Sequence, residues 1–242
     1  MVSLGGCAIA PPTLRQPIAE EVRQAIALLI TRWHAFSDLR ALADLTFERG
    51  GQRQRLAGVL LAKAPSSVRL EALSPFAQPL LLVTIHDGRL TSYDTTTNEA
   101  VVAPASAESA ARLLGLPFDP DDLVAVLAGL AVPPKDIRTA QFLAPDESGP
   151  SLEIVGAVNR QRVWMDFETG VVRQLEIAGG RTDARVTYRR DAAGTLTGFD
   201  VTAAQSYIRG TVAYRNLTRD AGVDADRFSL TLPKDAKIQN LR

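Results

Sequence analysis

The chain has little of several things. Among 242 residues there is one cysteine, there are two histidines, and there are four lysines (Lys63, Lys135, Lys234 and Lys237). One thiol closes no internal disulfide and two imidazoles build no histidine-rich metal centre, which removes the disulfide scaffold and the zinc-type site. Charge of either sign is in no surplus: 27 basic and 27 acidic side chains cancel. No global field therefore draws the chain to nucleic acid. The longest apolar runs, Leu80 to Ile85 and Leu123 to Val132, fall short of the roughly 18 apolar residues that a spanning helix needs. Also missing are the Gly-x-Ser-x-Gly elbow, the Walker A loop, the Rossmann glycines, His-Glu-x-x-His and Cys-x-x-Cys.

The isolated polar groups read as structural. His86-Asp87-Gly88 is a strand end followed by a hairpin turn, and His34 sits in a helical pattern. Without a Ser or Asp partner for either histidine in the sequence, an esterase-type nucleophile and base cannot be assembled. Asp119, Asp121 and Asp122 fit helix capping better than metal ligation. Asp220 to Asp226 has acidic spacing, but the Gly and closing Glu of a calcium loop are misplaced, so it reads as a turn. No enzyme, cofactor or metal is expected.

What is present is a globular composition, 46% hydrophobic and 22% charged, with room for a substantial core. Leu4-Gly5-Gly6-Cys7-Ala8 resembles the lipobox of bacterial lipoproteins, in which the cysteine is acylated. Only Met1 to Gly6 precede it, fewer than a signal peptide's basic region and 7 to 15 apolar residues. The lipoprotein reading thus takes an upstream start or a shortened chain, and the alternative is an ordinary thiol. Residues 8–16, with Pro11 and Pro12, read as a flexible tether, giving residues 1–16 as lipobox and tether and residues 17–242 as one domain.

From Pro17 to Phe36, Ile18, Val22, Ile26, Leu29, Trp33 and Phe36 recur at helical spacing. The period then changes to two, as in Asp44 to Glu48, Val68 to Ala72 and Arg185 to Arg189. Turn signals at Gly50-Gly51, Asp87-Gly88, Thr169-Gly170, Gly179-Gly180 and Asp191 to Gly194 predict an antiparallel meander. One helical insertion interrupts it from Ser106 to about Leu130, with Ser106 and Asp119 as N-caps and Gly115 as a stop. Leu123 to Leu130 is apolar nearly all round, so it must be surrounded. The expected fold is mainly β with α: an antiparallel open half-barrel with an N-terminal helix and internal plug helices.

Three stretches carry a family likeness. Val68 to Leu81, with Ser74-Pro75-Phe76-Ala77, Leu113 to Phe118 followed by Leu123 to Leu130 and Pro133, and Asp224 to Lys234 together resemble the LolA/LolB family of lipoprotein carriers, most of all its outer-membrane receptor branch, LolB. Asp224 to Lys234 matches the closing strand of the superfamily, and Tyr207 to Leu241 supplies strands beyond the simplest receptors. The resemblance implies a protein anchored through Cys7 at the periplasmic face of the outer membrane, which receives the acyl chains of lipoproteins from a soluble LolA-like carrier. It implies that Pro75, Phe76 and Ala77 form a membrane-insertion loop. It further implies an acyl-binding cavity lined by Leu70, Ala72, Leu113, Leu116, Leu123, Val126, Leu127, Leu130, Val163 and Met165. Alkyl burial needs only a dry apolar wall, at about 0.8 kcal/mol per methylene. The alternative is a non-catalytic envelope sensor or scaffold whose groove is filled by its own side chains.

Overall fold

The structure, a computed structural model, describes residues 18–179, 182–203 and 208–241. Helix α1 (Glu20–His34) leads, with Glu20 and Glu21 in its first turn and Arg32 and His34 in its last, each matching the sign of the nearby helix pole. It buries Val22, Ala25, Ile26 and Leu29.

Two antiparallel meanders follow. The first is β1 (Asp38–Arg49), β2 (Gln52–Lys63), β3 (Ser67–Leu73), β4 (Pro79–His86), β5 (Arg89–Asp94) and β6 (Glu99–Pro104). The second is β7 (Thr139–Asp146), β8 (Gly149–Val155), β9 (Arg160–Met165), β10 (Val172–Gly179), β11 (Thr182–Arg190), β12 (Leu196–Ala203) and β13 (Ile208–Arg219). They merge because β13 pairs antiparallel with β1, from Leu39 opposite Arg219 to Arg49 opposite Ile208. With β14 (Lys237–Asn240) the result is one 14-stranded sheet, in the order β14-β6-β5-β4-β3-β2-β1-β13-β12-β11-β10-β9-β8-β7. Its end strands β14 and β7 do not pair with each other, so the sheet is an open half-barrel.

Period-two patterning sets the two faces. In β3, Val68 and Leu70 join the core on the concave side and Ala72 is buried on the same face, whereas Arg69 faces outward and donates to the carbonyls of Arg227 and Ser229. The core also takes Leu39, Ala41, Ala43 and Leu45 of β1 and Val163, Met165, Leu175, Ile177 and Val186 of the second meander.

The insertion between β6 and β7 forms α2 (Ala107–Leu114) and α3 (Pro120–Ala128). Ser106 caps α2, its hydroxyl accepting from the Ser109 N–H, and Gly115 ends it at φ 71°. Asp119 behaves differently from expectation. It makes no side-chain cap on α3, and its Oδ1 accepts from the Ala107 N–H at 3.0 Å. It thus ties the start of α2 to the start of α3, and Pro120 at the first helical position of α3 removes one of the N–H groups that a helix start leaves unpaired.

The segment after β13 is also corrected. Asp224 to Lys234 forms no strand: Ala225–Phe228 is a 3-10 helix, and the closing strand is Lys237–Asn240, parallel to β6. Phe228 decides this, because it is fully buried in a small outer-face cluster with Leu61 and Val223. A strand there would break that anchor. The segment runs as a strap over the outer face, with Lys63 Nζ donating to the Val223 carbonyl at 2.7 Å and Asn98 Nδ2 to the Asp235 carboxylate at 3.0 Å. It covers the exposed edge of β6, which otherwise offers unpaired backbone to other chains.

Candidate functional site

The concave face is occupied by α3. Every residue from Leu123 to Ala128 is buried. The tip of the helix is held by four side chains from facing strands. Tyr214 donates its hydroxyl to the Leu127 carbonyl at 2.6 Å, Tyr188 to the Leu130 carbonyl at 3.0 Å, Arg190 Nη2 to the Gly129 carbonyl at 3.2 Å, and Arg219 Nη2 to the Ala128 carbonyl. These carbonyls are the ones a helix leaves unpaired at its C-terminus, and the two guanidinium charges suit its negative pole. Gly129 has φ 67°, and a Cβ there would lie 3.0 Å from Leu196 and 3.2 Å from Arg190 Nη2. Only glycine meets both conditions without strain. Burial raises the Tyr188 and Tyr214 phenols above their ordinary range, so both remain O–H donors.

Of the residues proposed to line an acyl cavity, Leu123, Val126, Leu127, Leu130, Val163 and Met165 are buried in this core, and Ala72 is buried outside that cluster. Leu70, Leu113 and Leu116 are half-buried against its rim. Leu113 also lines a cleft of about 330 Å³ between α2 and the β1–β2 hairpin, with Phe47, Leu114 and the aliphatic part of Arg112. Only Leu70, Ala72, Val163 and Met165 of the ten lie on strands; the other six belong to α2, α3 and the residues next to them, so the plug helices themselves supply most of the expected lining.

The larger apolar space lies elsewhere, in a place the sequence did not point to. A groove of about 750 Å³ runs between α1 and the β7–β8 hairpin, walled by Ala25, Ala27, Leu28, Phe142, Leu143 and Phe167. Its size lies within the range of about 300–1,000 Å³ typical of small-molecule sites. Phe142 is 43% exposed and meets Phe167 edge-on at 4.8 Å between ring centroids. The β7 strand beside it forms the free edge of the sheet. Alternating Phe142 and Ala140 in a short strand is a weak signal, and only the return of α1 against β7 reveals the groove.

Pro75, Phe76 and Ala77 form the β3–β4 turn, and Phe76 is 86% exposed. The turn is rigid because the Ser74 Oγ accepts from the Phe76 and Gln78 N–H groups at 3.2 Å each, while the Ser74 N–H donates to the Gln78 carbonyl at 2.8 Å. Ala77 takes φ 59° to close it. Strand directions place this turn with the β1–β2 and β5–β6 turns, at the end of the sheet opposite the β7–β8 and β9–β10 turns beside the groove. Cys7 lies outside the described residues.

His86 gains the Ser partner that the sequence did not offer. Its Nδ1 and the Ser67 Oγ are 2.9 Å apart, and its Nε2 is 3.4 Å from the Asp87 carboxylate. Both ring nitrogens are thereby engaged and the ring stacks on Phe228 at 6.1 Å. The ring contact joins the strap to β4, and the Ser67 bond joins β3 to β4. Asp122, in the first turn of α3, has its carboxyl pushed up to about 7 by burial and by the neighbouring charges of Asp121 and Asp119. No helix among the described residues is long and apolar enough to cross a membrane.

No family model and no curated protein sequence matches the chain. Among solved structures it is similar to a DUF1329 family protein from Desulfovibrio piger, at 14% identity over 87% of this chain and 98% of that one, with a TM-score of 0.62. It is also similar to an outer membrane lipoprotein-sorting protein domain from Vibrio parahaemolyticus, at 13% identity, 86% and 97% coverage and a TM-score of 0.59. A LolA superfamily protein from Nitrosomonas europaea aligns at 12% identity, 85% and 97% coverage and a TM-score of 0.57. These likenesses establish the fold: the chain is an open half-barrel of the LolA type.

Proposed function

We propose that the protein is a non-catalytic lipid-binding protein of the bacterial envelope. In the fuller form of this reading it is held at the periplasmic face of the outer membrane through an acylated Cys7, and receives lipoprotein acyl chains from a soluble LolA-like carrier. The observation that carries the lipid-binding part is the groove between α1 and β7–β8. It is apolar, large enough for a chain, and walled by an aromatic pair of which Phe142 is exposed and Phe167 half-buried. The similar lipoprotein-sorting domain from Vibrio parahaemolyticus supports the same class of cargo.

Phe76 supplies the membrane end. An aromatic ring held out on a rigid turn gains free energy by entering the interfacial region of a bilayer. In this reading Leu70, Leu113 and Leu116 form the rim beneath it, and the deeper residues from Ala72 to Met165 receive acyl chains only after α3 moves.

The experiment is transfer of a fluorescent triacylated lipopeptide from the protein to liposomes. Phe76→Glu leaves binding intact and slows delivery, because its charge stays at the water side. Delivery at the unaltered rate by that variant would count against the role of the loop.

A second reading has its own support. Because α3 fills the concave face so completely, the same fold also suits an envelope sensor or scaffold that carries no lipid. Failure of the protein to bind any acylated ligand would favour it.

A further inference from the structure

Three arginines converge beside the groove, and Asp220, beside Arg219, offsets only part of their charge. Arg190 Nη2 donates to the Gly129 carbonyl and to the Val172 carbonyl at 3.4 Å, and Arg219 Nη2 donates to the adjacent Ala128 carbonyl. Arg32, on the last turn of α1, donates Nη1 to the Thr169 carbonyl at 2.9 Å. Val172 and Thr169 flank the same β9–β10 turn, so the three guanidinium groups meet where that turn, the end of α3 and the end of α1 come together. None of the three forms an ion pair among the described residues. The carboxylate next in sequence, Asp220, is taken by the Ser37 N–H at 3.0 Å and hydroxyl at 2.8 Å.

Two donors in the cluster are left over. The Nε atoms of Arg32 and Arg190 are buried and donate to nothing, a condition that buried polar atoms in native proteins seldom tolerate. Burial, and then the charges of Arg219 and Arg32, hold the Arg190 guanidinium below the usual arginine range. Burial and Arg32 do the same to Arg219. All three remain charged at neutral pH, so like charges sit together at a cost that an anion would relieve. Capping α3 accounts for Arg190 and Arg219; it gives no reason for Arg32 to join them.

The cluster lies at one end of the apolar groove. Leu28 and Thr31 line that groove one turn and one residue before Arg32. A Cβ on Gly170 would sit 2.8 Å from Arg32 Cδ and 3.4 Å from Leu28 Cβ, so the β9–β10 turn packs on both. At the other end of the groove the wall carries Glu21 and Gln24. The arginines lie just beyond the Thr31 end of the groove rather than in its wall, and Glu21 disfavours an anionic head group at the other end.

We propose that Arg32, Arg190 and Arg219 bind the oxyanion head group of a lipid whose acyl chain lies in the groove between α1 and β7–β8. The proposal rests on the lipid-binding reading and adds the chemistry of the head group. Guanidinium forks suit phosphate and carboxylate oxygens through paired N–H donors, and the otherwise unused Nε donors are the groups that an oxyanion engages.

The test compares dioctanoyl phosphatidylglycerol with dioctanoylglycerol, which has the same acyl chains and no oxyanion, below their solubility limits, by titration calorimetry on the whole chain. The same titrations are repeated with inorganic phosphate as competitor. The protein is expected to bind the anionic lipid about tenfold more tightly, in keeping with the strength of charge-assisted hydrogen bonds. Phosphate should reduce that preference. Arg32→Gln, which loses the hydrogen bond to the Thr169 carbonyl, should erase the preference and leave dioctanoylglycerol binding unchanged, since Arg32 does not line the groove, and Arg32→Lys should restore part of it. Equal affinity of the unaltered protein for both lipids overturns the head-group proposal while leaving lipid binding in place. Equal weakening of both lipids by Arg32→Gln also overturns it, since the residue then acts only on the groove's structure. Binding of neither lipid removes the lipid-binding reading and this proposal with it.

Discussion

Tyr214 and Leu127, 87 positions apart, meet where the phenol donates to a helix-end carbonyl at 2.6 Å. With Tyr188, Arg190 and Arg219 doing the same for the next three carbonyls, the plug helix is fastened to the sheet at the tip as well as by its buried sides. Tyr214→Phe removes the hydroxyl and leaves a buried carbonyl unpaired. The expected loss is about 1–3 kcal/mol, which at roughly 2–4 °C per kcal/mol for a chain of this size is read as a lowered calorimetric melting temperature. An unchanged melting temperature would mean that the bond does not hold α3.

Asp122 gives α3 a pH dependence. Its folded carboxyl titrates at about 7 against an ordinary value of 3.8, so the folded state binds this proton more tightly than the unfolded chain does. Its contribution to stability is complete below pH 3.8 and is lost as pH rises towards 7. Asp122→Asn should flatten the change of urea midpoint between pH 5 and 8 and raise the midpoint at pH 8. A variant that follows the unaltered protein across that window would contradict the assignment.

Phe228 fixes the strap. Replacing this fully buried ring by alanine is expected to cost about 3–5 kcal/mol and to free the segment that covers β6. Limited trypsin digestion, followed by mass spectrometry, should show faster cleavage after Lys234 and Lys237 in Phe228→Ala. His86→Ala, which removes the stacked ring and its bond to Ser67, should act in the same direction and more weakly.

Phe142 walls the groove and is partly exposed, so Phe142→Asp should leave the urea midpoint nearly unchanged, as surface substitutions generally do. Lipopeptide affinity should fall by about tenfold or more, because a charge would have to be desolvated against an alkyl chain. Retained affinity, measured by fluorescence titration, would move the chain-binding surface away from α1 and β7.

Local signals made much of the fold legible. Period-two runs at Asp44 to Glu48, Val68 to Ala72 and Arg185 to Arg189 lie in β1, β3 and β11, because alternation is dictated by a sheet with one face against a core. Ser106 and Gly115 bounded α2 through backbone needs that are local. The failures share a different cause. Asp119 bonds Ala107 across a turn, Phe228 finds its pocket among strands about 160 residues away, and Ser67 reaches His86 through strand register. Each depends on contacts that no local pattern encodes. The same rule holds elsewhere: the exposure of Phe76 was legible from an aromatic between prolines, whereas the groove exists only because α1 packs against the β7–β8 hairpin.

The central claim, that this half-barrel binds acyl chains, is tested most directly by native mass spectrometry of the protein purified from a bacterial periplasm. The account predicts adducts with the masses of acylated molecules, displaced when a triacylated lipopeptide is added. A protein that arrives free of lipid and also ignores the lipopeptide would contradict it.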